Sequence, residues 1–195
     1  MKNKYDEAVK FLYETLRGKN VQEIEKRYRF EHSLRVANIA KEIAEAENQD
    51  VLVVTMAAIL HDVGKFDTDI KEEHGRVSAN LALPFLKTLG VSKKQVGDIM
   101  YCIAAHVDGE AGYDYDHIAE AKTVMDADAI ERFGIYRIYQ SLIWGEIEQI
   151  EEAEITPKCN SGRLKNFKTI LSTNAANVIS KKNLDIQINY YKHLK

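Results

Sequence analysis

Apolar side chains recur every three to four residues through nearly the whole sequence, and this spacing constrains the fold more than any other feature. The buried face of an α-helix has that period, whereas a half-buried strand alternates at every second residue. Glycine residues and Asp or Asn clusters separate the periodic segments. The sequence therefore predicts an all-α fold, a compact helical bundle, rather than a sheet or a mixed architecture.

The periodic segments set the expected helices. We expect them near residues 4–16, 21–29, 32–47, 51–61, 72–89, 93–105, 118–133 and 134–152. The C-terminal region predicts two more, near residues 163–180 and 184–195. Asp50 and Ser92 suit N-cap positions, and Gly64, Gly90 and Gly134 suit helix ends.

Length and composition favour one compact domain. A chain of 195 residues can bury a sizeable core, so we expect residues 1–195 to form a single helical domain. The net charge of −3 argues against a protein that wraps duplex nucleic acid, and no stable nucleic-acid partner is expected.

Other sequence features predict a cytoplasmic protein. The N-terminus lacks the apolar core of a signal peptide, and the longest apolar run, residues 51–60, is too short to span a bilayer. We therefore expect no membrane association. Cys102 and Cys159 lack a CxxC spacing, which is typical of reduced thiols rather than a disulfide framework.

Several ionisable residues lie on the apolar stripes of the predicted helices, where a polar group is costly unless it is paired or bound. Asp62 is one of them, because it follows His61 at the end of the strongly apolar segment 51–60. Four of the six histidines are expected to face inward: His32, His61, His74 and His106. Inward histidines together with carboxylates indicate a site for a ligand.

Asp126 and Asp128 cannot both face the core, since two residues on a helix are separated by about 200° of rotation. Asp128 lies within the arc of Ala121, Val124 and Met125, and Asp126 lies toward its edge. Helical register therefore favours Asp128 as the inward ligand and leaves Asp126 a surface or supporting role.

Neutral imidazoles and carboxylates form a mixed nitrogen and oxygen ligand set. This set suits a divalent transition metal, that is Mn, Fe, Zn, Ni or Co, and the absence of a thiolate cluster argues against a closed structural zinc site. A metal with an open position lowers the pKa of its bound water toward neutrality and polarises a phosphoryl oxygen. These residues therefore predict a catalytic metal site.

The order of these residues resembles a known signature. His32, then HDVGK at residues 61–65, then ADAI at residues 127–130, are similar to the H...HD...D signature of the HD superfamily of metal-dependent phosphohydrolases. The resemblance spans about residues 31–133. It implies that the metal ligands are His32, His61, Asp62 and Asp128. It also implies that Asp62 is catalytic and that Lys65 lies beside the substrate phosphate.

His74 and His106 extend the resemblance to the two-metal branches of the superfamily. In that arrangement they are candidate ligands of a second ion, and Asp62 bridges the two ions. A one-metal site that uses both histidines as outer groups stays equally open. The GYP element of the cyclic-dinucleotide phosphodiesterases is missing, because HGRVSA occupies residues 74–79. We therefore do not assign that activity.

The resemblance implies hydrolysis of a phosphate ester by a metal-activated water. The substrate, and the expected partner, is a nucleotide or another small phosphorylated metabolite. Two alternatives use the same residues: a non-catalytic signalling or scaffold protein that binds a metal or ligand, and a di-iron oxygenase. Weaker candidates are Arg35, as a phosphate contact, and Tyr113 and Tyr115, as rings that stack on a base.

Overall fold

The computed structural model describes residues 2–144 and 171–193, and every regular element within them is helical. The α-helices of these two ranges are α1 (Lys2–Arg17), α2 (Glu23–Ala46), α3 (Val51–Leu60), α4 (His74–Leu86), α5 (Lys93–Ala105), α6 (Ala119–Glu131), α7 (Ile135–Trp144) and α8 (Asn174–His193). A 3₁₀ turn, Lys71–Glu73, leads into α4. The predicted all-α class is confirmed.

Helix α3 forms the centre of the bundle because nearly all of its surface is apolar. Its sequence, VLVVTMAAIL, carries no charged residue, and the stretch from Val53 to Leu60 is buried. Helices α1, α2, α5 and α6 all contact α3. Each large apolar side chain buried in this way contributes about 1.5–3 kcal/mol. The C-terminal end of α3 is therefore a fixed point, and His61 and Asp62 follow directly from it.

Both predicted N-caps, Asp50 and Ser92, are present in the structure. The Asp50 carboxylate accepts hydrogen bonds from the backbone N–H groups of Leu52 and Val53 at the start of α3. The Ser92 hydroxyl accepts from the backbone N–H of Gln95 at the start of α5. These bonds satisfy N–H groups that have no partner within the helix.

Two predicted helix breaks are wrong. Helix α2 runs from Glu23 to Ala46 without the expected interruption near residue 30, and α8 continues through the expected break at residues 181–183. Neither position contains Gly or Pro, so the local backbone has no reason to leave the helix once tertiary packing holds both sides. Predicted helix positions 145–152, 163–170 and 194–195 lie outside the described residues.

The described residues bear in part on the expectations about membrane association and the two cysteines. In the two described ranges, no helix is long and apolar enough to cross a bilayer. Cys102 is a free thiol buried in the core, and burial raises its pKa well above the ordinary value. Cys159 lies outside the described residues.

Candidate metal centre

The ends of several helices bring six of the predicted site residues together. They are His32 on α2, His61 and Asp62 directly after α3, His74 at the start of α4, His106 directly after α5 and Asp128 on α6. Five of the six are buried, and the Asp128 side chain is 16% exposed. Residues separated by up to 96 positions thus share one small region of the bundle.

The first group of ligand atoms surrounds the ring of His32. Its Nε2 atom lies 3.2 Å from Nε2 of His61 and 3.2 Å from Oδ1 of Asp128. Oδ2 of Asp62 lies 3.4 Å from Nε2 of His61. Ligands of one transition metal are about 3 Å apart, because each metal–nitrogen bond is about 2 Å long. His32, His61 and Asp128 therefore have the spacing of a single coordination sphere, and Asp62 lies beside them.

The second group uses the other oxygen of Asp62. Oδ1 of Asp62 lies 3.1 Å from Nε2 of His74 and 3.7 Å from Nε2 of His106. The two Nε2 atoms are 3.2 Å apart. Oδ1 of Asp62 is buried and has no hydrogen-bond partner among the described residues. The Asp62 carboxylate thus lies between the two groups, with one oxygen toward each.

In every histidine of the cluster, the Nδ1 atom contacts an oxygen outside the ligand set. Nδ1 of His61 lies 2.7 Å from the carbonyl oxygen of Ala58, and Nδ1 of His106 lies 2.7 Å from that of Ile103. Nδ1 of His74 contacts the carbonyl oxygen of Lys71. Since a carbonyl oxygen can only accept, these Nδ1 atoms carry the proton and the Nε2 atoms are free to bind a cation.

The electrostatics of the cluster also suit a cation. Burial opposes ionisation of Asp62, but the nearby His61 and Arg29 outweigh it and hold its pKa well below the ordinary value. Burial likewise lowers the pKa of His32, but Asp128 and the neighbouring Glu131 outweigh it and raise that pKa to about 9. Ionised carboxylates and a preference for positive charge are what a divalent ion requires, so the residues present fit one ion or two.

A cleft of about 440 Å³ opens above the ligand atoms. Its lining carries five cationic side chains: Arg29, Lys65, Lys71, Arg132 and Arg137. The ring of Tyr28 contributes an aromatic surface, and the acidic groups of the lining are Asp62 and Asp128 of the cluster. The cleft therefore suits an anionic molecule whose charged group reaches the ligand atoms.

Residues 29–132, more than half of the chain, match the family described as the HD domain. The chain belongs to the HD domain family. One curated relative is ribonuclease Y 1 of Pediococcus pentosaceus, which is 33% identical over 100 residues. That match covers 50% of this chain and 16% of the relative, so the likeness is confined to a small part of the longer protein.

Solved structures share the HD-domain fold over nearly the whole chain. A predicted HD superfamily hydrolase from an uncultured Thermotogales bacterium has a TM-score of 0.71 at 18% identity, covering 97% of this chain and 90% of its own. Bacillus subtilis YpgQ in complex with ADP has a TM-score of 0.66 at 20% identity, with 98% and 93% covered. At these identities the likeness shows the fold alone.

Helical register predicted the direction of Asp128 in this HD domain, but it did not predict the burial of Asp126. Asp128 faces His32, as expected, whereas Asp126 is fully buried and Oδ2 of its carboxylate accepts a hydrogen bond of 2.7 Å from the backbone N–H of Ser172. A surface position for Asp126 is therefore wrong. The segment that precedes α8 covers it, and a helical wheel of α6 alone carries no sign of that contact.

Asp126 leads to a prediction about pH. Burial raises its pKa to about 6, above the ordinary value of 3.8. Between these values the folded protein binds a proton that the unfolded chain releases, so Asp126 stabilises the fold at low pH and this contribution is lost as the pH rises through about 6. We expect Asp126→Asn to gain stability relative to the wild type as the pH increases from about 4 to about 7.

Urea unfolding of the two proteins at several pH values across this range measures the difference. The exposed Asp116→Asn is the matched control, because it removes a carboxylate that lies in a surface loop. A difference between Asp126→Asn and wild type that stays constant with pH, or that falls, would show that Asp126 is ionised in the fold.

Arg35 and the two loop tyrosines do not line the cleft above the cluster. The Nε–H group of Arg35 donates to Glu131 at 2.6 Å, and its guanidinium lies 3.2 Å from the centre of the Tyr136 ring. Tyr113 and Tyr115 line a different cleft, where the Tyr115 hydroxyl donates to Asp98 at 2.8 Å. The structure therefore places none of these three residues in the lining of the cleft above the cluster.

Lys65 does line the cleft, where its ammonium lies 3.2 Å from Nδ1 of His74. Two further residues of the HD-domain site were not anticipated. Arg29 forms an ion pair with Asp62, and Glu131 accepts from His32. Both could have been found from spacing, because Arg29 precedes His32 by three residues and Glu131 follows Asp128 by three, which places each pair on one helix face.

Proposed function

We propose that this chain is a metal-dependent phosphohydrolase that cleaves a phosphate ester of a nucleotide or another small phosphorylated metabolite. The observation that carries the proposal is the cluster of imidazoles and carboxylates at the base of a cleft with five cationic side chains. A phosphate ester matches both parts, since its oxygens bind metal ions and its charge favours Lys and Arg. The names of the relatives support this class, because one is a ribonuclease and another was solved with ADP.

The residues divide into two ligand sets. His32, His61, Asp62 and Asp128 would hold one ion, and Asp62, His74 and His106 would hold a second. A divalent ion bound there supplies a water of lowered pKa and polarises a phosphoryl oxygen. Asp62 determines the position of both sets, because it contributes one oxygen to each.

Cationic side chains orient the substrate in this proposal. Arg29 contacts Asp62 and also lines the cleft, so its positive charge lies next to the place where a phosphate would bind. Burial lowers the pKa of Lys65, while the nearby Asp62 and Asp128 favour its charged form. Arg29 and Lys65 both line the cleft and would thus offset the negative charge of a phosphate bound there.

The test is a comparison of metal-free and metal-replete protein. We expect chelator-treated protein to hydrolyse neither a p-nitrophenyl phosphomonoester nor a phosphodiester, and we expect one of the ions Mn²⁺, Fe²⁺, Co²⁺, Ni²⁺ or Zn²⁺ to restore hydrolysis. A panel of nucleotides then identifies the preferred ester. Elemental analysis of untreated protein measures which metal it carries.

Three outcomes would contradict the proposal. Equal hydrolysis by the metal-free protein would remove the role of the metal. Ligand binding without turnover on any ester, with metal supplied, would favour a signalling or scaffold protein. Oxygen consumption by the diferrous protein with substrate would favour an oxygenase.

A phosphohydrolase of this kind has no need of an oxidising compartment, and we propose that it acts in the cytoplasm on a small phosphorylated partner.

A further inference from the structure

The four histidines of the cluster differ in what holds their Nδ1 atoms. His61, His74 and His106 each use a backbone carbonyl three residues earlier in the chain. His32 instead uses a side chain, since its Nδ1 atom lies 2.8 Å from Oε2 of Glu131. One ligand therefore depends on a negatively charged partner and three depend on neutral ones.

Glu131 is held firmly in this contact. The residue is 6% exposed, and its second oxygen accepts a hydrogen bond of 2.6 Å from Nε of Arg35. The Arg35 guanidinium in turn packs against the face of the Tyr136 ring. Both carboxylate oxygens of Glu131 are thus engaged, and the carboxylate cannot turn away from His32 without loss of a charge-assisted bond.

The two sides of Asp62 also differ in their carboxylate ligands. On the His32 side, Asp128 adds a second ligand carboxylate, while Arg29 contacts the same Asp62 oxygen and offsets part of the negative charge. On the opposite side, the other Asp62 oxygen faces the imidazoles of His74 and His106, and the Lys65 ammonium lies 3.3 Å from Nε2 of His74. The first set therefore offers a cation two carboxylates, and the second offers one carboxylate with an ammonium beside a ligand nitrogen.

We propose that Glu131 is a positioning residue that makes the His32 side the tighter of two metal positions. The proposal rests on the metal site of the proposed function. A carboxylate that accepts from a ligating histidine fixes the ring and makes it a stronger donor, and its removal costs about 10- to 100-fold in metal affinity. The weaker position, next to Lys65, exchanges its ion more readily.

Titration of the metal-stripped protein with Co²⁺ tests this inference. The visible absorption of bound Co²⁺ reports coordination, and calorimetry gives the affinity of each step. We expect Glu131→Gln to weaken the tighter step about 10- to 100-fold and to leave the weaker step unchanged. His106→Gln should do the reverse. Glu120→Gln is the matched control, because Glu120 lies on the same helix and accepts from the backbone N–H of Asp50 rather than from a ligand.

A positioning role for Glu131 requires that only the tighter Co²⁺ binding step weakens, whereas general damage to the fold would weaken both steps. Equal weakening of both steps, weakening of the weaker step alone, unchanged affinities, or no Co²⁺ binding by the wild type would each overturn the inference. If Glu131→Gln does not fold by circular dichroism, Arg35→Gln is measured instead. That variant loosens the Glu131 carboxylate and should weaken the same step alone, and any other pattern overturns the inference.

The two proposals can fail separately. Affinity is measured without turnover, so a wild type that binds Co²⁺ in the expected pattern but hydrolyses no ester would contradict the proposed function alone. Hydrolysis that depends on metal, combined with unchanged affinity in Glu131→Gln, would contradict the role of Glu131 alone.

Discussion

Replacement of Asp62 by asparagine is expected to lower phosphoester hydrolysis by at least about a thousandfold, which corresponds to about 4 kcal/mol of transition-state stabilisation. Asp62 has one oxygen directed toward His61 and the other toward His74 and His106. An amide keeps one oxygen and places an NH₂ group at the other position. One of the two ligand sets must therefore lose its oxygen and face a donor instead.

The measurements are kcat/KM on the preferred ester and the metal content of the purified variant. Asp126→Asn is the control, because it makes the same change at a buried aspartate of α6 that contacts Ser172 rather than the cluster. We expect that control to retain wild-type turnover at neutral pH. An Asp62→Asn protein with wild-type metal content and wild-type kcat/KM would contradict the assignment of Asp62.

Replacement of Gly75 by valine is expected to destabilise the fold by about 3 kcal/mol. A Cβ atom at Gly75 would lie 2.6 Å from the carbonyl oxygen of Ala104 and 3.0 Å from that of Ile103, which are backbone atoms of α5. Helices α4 and α5 would have to separate. Because His74 begins α4 and His106 follows α5, the same movement should pull apart the second set of ligands.

Urea unfolding gives the change in stability, and Co²⁺ titration shows whether the step that depends on His74 and His106 is lost. Gly18→Val is the matched control, since a Cβ at Gly18 would make only ordinary contacts at 3.5 Å and beyond. The close packing of α4 on α5 would be contradicted if Gly75→Val unfolded at the wild-type urea concentration and bound Co²⁺ normally.

Much of the fold could be predicted because the sequence signals for a helix and its caps come from neighbouring residues. The bounds of α5 agree with the predicted residues 93–105, and the caps at Asp50 and Ser92 depend on neighbours within three residues. The direction of Asp128 also follows from register on one helix. Each of these features is determined by nearby residues, and local physical rules are sufficient for them.

The features that were missed depend on contacts between distant residues. Glu131 and its partner Arg35 are 96 positions apart, and Asp126 is covered by a residue 46 positions away. Periodicity shows which way a side chain points, but not which helix it meets. An arginine one turn from His32 therefore looked like a phosphate contact, when in the fold it is occupied by Glu131 and Tyr136.

The carbonyl groups that hold three of the cluster histidines have a consequence for how this site can vary. Ala58 and Ile103 lie in the last turns of α3 and α5, where carbonyl groups lack an amide partner from their own helix. Any residue type at those positions offers the same oxygen, so substitutions there can alter packing without turning the rings of His61 or His106. His32 has no such backbone anchor. A substitution at Glu131 is therefore the change expected to alter the orientation of a ligand ring, that of His32, most directly.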